Sequence, residues 1–405
     1  MKFIEGGVCA TKGFKASGLH VGVKTKNKNK KDLALIVADC DCNAAAVYTK
    51  NIVKAAPLHV TKDNLMNGKA RIVFANSGNA NACAPLGEEN AKRMCKSIAS
   101  ELGMNETDVL VASTGVIGQT LPIEVIESGI AQLVSNLSYE GSKDAASAIM
   151  TTDLTMKELA VEFMLNGKSI KIGGIAKGSG MIHPNMGTML AFLTTDCAIS
   201  TEMIQKALTL TTNISFNRVS VDGDTSTNDM LSLMANGLAG NDEITGTGAD
   251  YDIFAEALNM LCIELAKMIA SDGEGATHLI TCKVSGAKTE EDAETLSKSV
   301  ITSTLVKAMI FGMDANIGRV LCAMGYSGVD FNPSEVDFAL ESEVGRVTVC
   351  ENGTGLKFDE ELALKILKEH DITIDITLKE GFAECTCWGC DITYDYIKIN
   401  GDYRT

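Results

Sequence analysis

The sequence predicts a layered α/β body with mixed sheets, and three observations lead there. Short apolar runs rich in β-branched residues alternate with segments of helical period along most of the chain. Near the C-terminus, strand runs follow one another with little helix between them, which favours mixed or antiparallel pairing over a doubly wound parallel sheet. No linker rich in Pro, Gly or Ser divides the 405 residues, and no fixed-period repeat is present.

Taken in order, buried strands are expected at 33–37, 71–75, 109–112, 169–175 and 188–193. Between them, a helix over 89–102 carries Ala91, Met94, Cys95, Ile98, Ala99 and Leu102 on one face, and Gly103 supplies its stop. Pro122 begins a second helix through 137, at the first-turn position that proline tolerates. Thr201 is expected to cap a helix bearing Met203, Ile204, Ala207 and Leu208. Longer helices follow over 251–270 and 292–310. A short one over 359–369 separates half-exposed strands at 338–350 and 372–378.

Composition narrows the function classes. A formal net charge of −16 with pI near 4.8 opposes a nucleic-acid footprint, which needs clustered Lys and Arg to neutralise phosphates. The one basic run, Lys24, Lys26, Lys28, Lys30 and Lys31, reads as a solvated hairpin tip, with anion steering as its alternative. No apolar stretch reaches the 18 or more residues of a membrane span and the N-terminus has no secretory h-region, so a soluble cytoplasmic protein without membrane contact is expected. Thirteen cysteines, scattered and odd in number, suit reduced thiols. The group Cys385, Cys387 and Cys390 holds one C-x2-C but no second to complete a metal ribbon, so inert thiols and no metal are expected.

Several motifs could carry chemistry. Thr188 opens an apolar run after a loop holding Gly178, Gly180 and Gly187. While internal it reads as a strand-starting Thr. Cut from Gly187, it would become an N-terminus whose α-amine, with an ordinary pKa of about 7.7 to 8.0, can act as base for its own hydroxyl. Ser113 to Gly118 reads as a strand-end loop where Thr114 Oγ and the Gly115 amide could meet a developing oxyanion. Lys177 precedes its glycines, so it is no phosphate loop, and a carboxylate partner is the functional reading. Glu274, in Asp272-Gly273-Glu274-Gly275, could hold an ammonium. Asp222 to Asp229 reads as a hydrogen-bonded turn, since it lacks the spacing of a calcium loop.

These segments together resemble the ornithine acetyltransferase family of arginine biosynthesis, also called glutamate N-acetyltransferase. The likeness rests on Gly13-Phe14-Lys15-Ala16-Ser17-Gly18, Asn76 to Asn81, Ser113 to Gly118, Met150-Thr151-Thr152-Asp153, Lys177 to Phe192, Ser220 to Asp229, Asp272 to Gly275 and the tail Tyr396 to Thr405. It runs through nearly the whole chain in order. Two departures are Gly187, where many members have Ala, and Leu154, where Thr is more usual.

The resemblance implies an α/β sandwich of layered, mixed sheets flanked by helices, similar to that of the self-cleaving N-terminal-nucleophile aminopeptidases. It implies autocleavage into an α chain, 1–187, and a β chain, 188–405, that stay together as a heterotetramer of two each. Thr188 would be the nucleophile, and Thr114 with Gly115 the oxyanion hole. Thr151 (or its neighbour Thr152), Lys177, Thr188, Glu274, Asn400 and Thr405 would contact substrate. The implied reaction moves acetyl from N2-acetyl-L-ornithine to L-glutamate through an acetyl-Thr188 ester, without cofactor, with acetyl-CoA an optional further substrate. Rival readings are a related amidase, an uncleaved amino-acid-binding module, and a metal-binding cysteine protein.

Overall fold

The structure is a computed structural model and describes residues 1–24, 30–183 and 189–402. Gly187, Thr188 and Thr405, and Lys26 and Lys28 of the basic run, lie outside the described residues. The chain forms two compact units, the first from residues 1–217 and 224–265, the second from 218–223 and 266–403. The proposed cut therefore falls within the sequence span of the first unit, and the units do not coincide with the two expected cleavage chains.

Sixteen strands occur among the described residues. β1 (Lys2–Ile4), β2 (Phe14–Leu19), β3 (Leu33–Tyr48), β4 (Lys69–Asn79), β5 (Val109–Val116), β6 (Lys157–Leu165), β7 (Lys168–Lys177), β8 (Leu190–Thr195) and β10 (Met230–Ala235) build the sheet of the first unit. Its order is β1-β6-β7-β8-β10-β3-β4-β5, with β2 paired to β3. β9 (Val219–Ser220), β11 (Leu279–Ala287), β12 (Asp337–Ser342), β13 (Gly345–Glu351), β14 (Thr354–Gly355), β15 (Asp371–Thr377) and β16 (Ala383–Cys390) build the second, in the order β14-β13-β12-β15-β11-β16-β9. Both are mixed: β4–β5 and β8–β10 are parallel, as are β11–β15 and β9–β16, and the remaining pairs are antiparallel.

Period-two burial explains the first sheet. Leu33, Leu35, Val37, Ile72, Phe74, Val109 and Val111 share one core with Met94 and Ile98 of the helices that cover that face. The intervening Ala34, Ile36, Val73, Ala75, Leu110 and Ala112 enter another core with Ala145, Ala148 and Ile149. Successive strand residues point to opposite faces, so runs buried throughout are what a two-sided sheet needs.

The helices are α1 (Ala56–Asn64), α2 (Gly87–Leu102), α3 (Ile123–Ser128), α4 (Ile130–Ser135), α5 (Ser142–Ile149), α6 (Thr201–Ile214), α7 (Ala249–Ser271), α8 (Glu290–Thr302), α9 (Thr304–Phe311), α10 (Ile317–Gly325), α11 (Glu360–Ile366) and α12 (Tyr394–Gly401). Gly103 ends α2 in the left-handed region at φ +65°, as expected.

Three helix expectations need correction. The helix expected over 122–137 is two, broken at Gly129, where a Cβ would come within 2.2 Å of Val21 Cγ1. The helix expected over 292–310 breaks at Ser303, whose extended ψ of 116° ends α8 while its hydroxyl caps α9 through the Val306 amide. Ser200, not Thr201, caps α6, because its side chain accepts from the Met203 amide. Of the strand expected over 188–193, β8 takes in Leu190 onward, and Met189 lies outside it.

Candidate active site

In the first unit the site candidates gather where β4, β5 and β7 end. β4 and β5 run parallel with Ser77 opposite Thr114 and Gly78 opposite Gly115. Thr114 and Gly115 thus lie within a strand, which corrects the strand-end loop expected for 113–118. The pair is held close: Gly115 has φ +132°, and a Cβ there would stand 2.4 Å from the Gly78 carbonyl carbon. Only glycine satisfies both conditions.

Several polar side chains behind these strand ends are hydrogen-bonded to one another and to backbone carbonyls. Ser113 Oγ donates to Asn76 Oδ1 at 2.6 Å, and Asn76 Nδ2 donates to the Asn79 carbonyl at 2.9 Å. Asn228 Nδ2 donates to the carbonyls of Ala80 and Ser113 at 2.6 and 2.8 Å. Thr225 Oγ1 donates to the His183 carbonyl at 2.7 Å, so the 222–229 segment braces the chain just before the proposed cut. That segment consists of bends with one isolated bridge, Ile182 to Thr225. Its last residue, Asp229, is fully enclosed, and burial pushes its carboxyl well above the ordinary carboxylate range.

Lys177 closes β7 and is only 7% exposed; its Nζ donates to Thr114 Oγ1 at 3.4 Å, and Thr114 is only 8% exposed. Two predicted residues are thereby brought together in a dry environment, where an ammonium acts more strongly than in water. Their neighbour Asp153 was not singled out in the sequence, although it stands in the quoted Thr-Thr-Asp motif. Asp153 Oδ1 accepts from Lys157 Nζ and from the Gly178 amide, both at 2.8 Å, while Oδ2 accepts from the Thr151 amide at 2.9 Å. It ties Thr151 to the residue after Lys177. Burial alone would raise its pKa, but Lys177, Lys157 and these donors hold the carboxyl far below the usual range.

The tip expected for the basic run falls on residues 25–29, outside the described residues, and only its flanking lysines are described. Lys24, Lys30 and Lys31 are each half-buried. Lys24 Nζ donates to the Lys31 carbonyl at 2.5 Å, Lys30 Nζ donates to the Thr151 carbonyl at 3.3 Å, and Lys31 pairs with Asp144.

In the second unit, Glu274 and Asn400 meet. Asn400 Nδ2 donates to Glu274 Oε2 at 2.7 Å, and Glu274 is only 7% exposed. Gly275, at φ +69°, packs against the start of α12; a Cβ would lie 2.7 Å from the Tyr396 amide nitrogen. His278 is a structural residue, its Nδ1 3.0 Å from Asp391 Oδ2. Cys385, Cys387 and Cys390 are buried along β16, and among the described residues no group of three or more His, Cys, Asp or Glu is placed to hold a metal. Among the described residues, too, no helix is long and apolar enough to cross a membrane.

Comparison with known proteins gives one consistent result. The sequence profile of the ArgJ family matches residues 15–405. The arginine biosynthesis bifunctional protein ArgJ of Caldanaerobacter subterraneus subsp. tengcongensis is 50% identical over 406 residues, covering 100% of both chains. The protein of the same name from Symbiobacterium thermophilum is 48% identical, again over 100% of both. A crystal structure of the corresponding Bacillus halodurans protein is 44% identical and covers 52% of this chain and 98% of its own, with a TM-score of 0.49.

Proposed function

The chain belongs to the ArgJ family, and from that premise we propose that it transfers acetyl from N2-acetyl-L-ornithine to L-glutamate through an ester on Thr188. The observation that carries this reading is the buried approach of the Lys177 ammonium to the Thr114 hydroxyl, two groups suited to a carboxylate and to a developing oxyanion.

Self-cleavage comes first. Thr188 Oγ attacks the Gly187 carbonyl, the amide nitrogen leaves as an amine, and water hydrolyses the resulting ester to free the Gly187 carboxylate. The α-amine of Thr188 then takes the hydroxyl proton as Oγ attacks the acetyl carbonyl of the donor. Thr114 and Gly115 stabilise the tetrahedral oxyanion, the amine returns its proton to departing ornithine, and the acetyl ester remains. The glutamate amine attacks that ester in the reverse sequence. An amide is lost and an amide is made, so the exchange is close to thermoneutral and calls for no cofactor.

Substrate contacts follow charge. Lys177 is the carboxylate partner and Glu274 the ammonium partner, while Thr151, Asn400 and Thr405 donate or accept hydrogen bonds. The cleaved α and β chains remain associated, since β8 after the cut is buried throughout and pairs with β7 before it, Lys177 opposite Leu190. A cytoplasmic assembly of two α and two β chains completes the proposal. The word bifunctional in the relatives' names supports acetyl-CoA as a second donor.

Denaturing electrophoresis with N-terminal sequencing, run beside an acetylornithine–glutamate exchange assay, tests this reading. Wild type should give two bands, one beginning at Thr188, and Thr188→Ala a single inactive one. An intact wild-type chain that nevertheless exchanges acetyl would remove the nucleophile from the account.

A further inference from the structure

An oxyanion donor works only if it is held in place, and the sheet alone holds Thr114 poorly. Among the described residues β5 is the last strand of its sheet, so its outer edge has no strand beside it. On its inner side the pairing with β4 is regular from Ile72 to Gly78 and then shifts at Asn79, which opposes both Thr114 and Val116. Ladder bonding is therefore weakest where the reaction needs the most exact geometry.

A side chain from a distant segment compensates. Asn228 is only 7% exposed, and its Nδ2 donates to the Ser113 carbonyl, 115 positions away, and to the Ala80 carbonyl, 148 positions away. The Ser113 carbonyl belongs to the peptide unit that carries the Thr114 amide. On the other side of the pair Thr114 and Gly115, the Ala80 amide donates to the Val116 carbonyl at 2.9 Å. Ala80 thus anchors the strand on both sides of the two candidate donors, directly at Val116 and through Asn228 at Ser113.

The orientation of the Asn228 amide follows from its partners. Thr227 Oγ1 donates to Asn228 Oδ1 at 2.6 Å, which leaves the nitrogen, with two N–H groups, to face two carbonyl oxygens. The reverse orientation would set oxygen against oxygen. For the same reason aspartate, although of the same shape, cannot do this work: it has no N–H and turns a carboxylate oxygen toward two carbonyls.

We propose that Asn228 is a positioning residue of the oxyanion hole, its amide fixing the Ser113–Thr114 peptide and through it the Thr114 hydroxyl. This rests on the reaction proposed above. The segment Asp222 to Asp229 thereby gains a role in turnover through a residue that touches no substrate.

The test measures acetylornithine–glutamate exchange in the full-length self-processed protein and in Asn228→Asp, Thr227→Val, Thr114→Ala and the two doubles with Thr114→Ala. Rates are taken per cleaved chain, with the cleaved fraction read by denaturing electrophoresis. Asn228→Asp should lower kcat about tenfold to a hundredfold, the cost of a donor displaced by a fraction of an ångström to an ångström. KM for both substrates should stay within about twofold, since the lost interaction belongs to the transition state. Thr227→Val, which keeps Asn228 and removes only the hydroxyl that orients it, should lower kcat about threefold to tenfold and serves as the same test should Asn228→Asp fail to fold or to cleave.

The doubles separate positioning from general support of the fold. Because Asn228 acts through Thr114, either substitution added to Thr114→Ala should cost less than about threefold further and less than it costs alone. Losses that multiply in the doubles, or a KM that rises in step with the fall in kcat, would overturn the role of Asn228 alone. A wild-type protein that exchanges no acetyl would overturn the reaction itself.

Discussion

Lys177 Nζ stands 3.4 Å from Thr114 Oγ1, joining the end of β7 to the C-terminal part of β5. Two residues 63 positions apart are so brought to one buried point, and the ammonium biases the hydroxyl toward donating elsewhere. Thr114→Ala should therefore lower kcat for acetyl exchange by about a hundredfold to a thousandfold, the typical cost of one oxyanion donor. The extent of chain cleavage, read on the same preparation, separates loss of turnover from loss of processing.

Asp153 organises its surroundings by bonding to Lys157, Thr151 and Gly178 at once. Asp153→Asn leaves the Lys157 ammonium buried beside a neutral amide, and urea unfolding should show a loss of roughly 3 to 5 kcal/mol. The folded pKa of Asp153 is depressed, so its contribution is present above the unfolded value near 3.9 and is lost as pH falls through the folded one. Wild type should lose more stability than the variant on acidification below about pH 4.

Asp229 carries the opposite sign. Its folded pKa is raised by burial, so below the unfolded value it makes no difference, and above that value the folded state must retain a proton that the unfolded chain has released. Asp229→Asn mimics the neutral acid. Thermal unfolding should show the variant gaining on wild type as pH rises from about 4 toward 7; a gap that shrinks over that range would contradict a neutral Asp229.

Asn400 lies on α12, which has no buried residues, yet its amide donates to the enclosed Glu274. Truncation after Ile399 should accordingly reduce acetyl exchange tenfold or more, as expected for losing a charge-assisted hydrogen bond of about 1.5 to 3 kcal/mol. The melting temperature should shift by no more than a few degrees. Undiminished exchange in the truncated protein would remove the tail from the site.

The strands and the site residues were legible in different ways. Runs such as those containing Leu35, Phe74 and Val111 announced themselves because both sheet faces are buried and the sequence there is apolar without interruption. The breaks at Gly129 and Ser303 were not legible, since the close approach of Val21 to Gly129 comes from a residue more than 100 positions away. Lys24 looked like a surface lysine among other lysines and asparagines, and its half-burial against Gly78 depends on the pairing of distant strands.

What the sequence determined by itself was local and chemical: the mixed α/β pattern, the motifs around Thr114, Lys177, Thr188 and Glu274, and through them the family. Those features depend on residue type, order and spacing, which one chain displays in full. The tertiary structure decided which groups share a low-dielectric environment. It brought Lys177 to Thr114, set Asp153 among its donors, enclosed Asp229, and turned the Lys24 ammonium to the Lys31 carbonyl. Charge and protonation at a buried site depend on neighbours in space, and those neighbours come from strands and loops that only folding assembles.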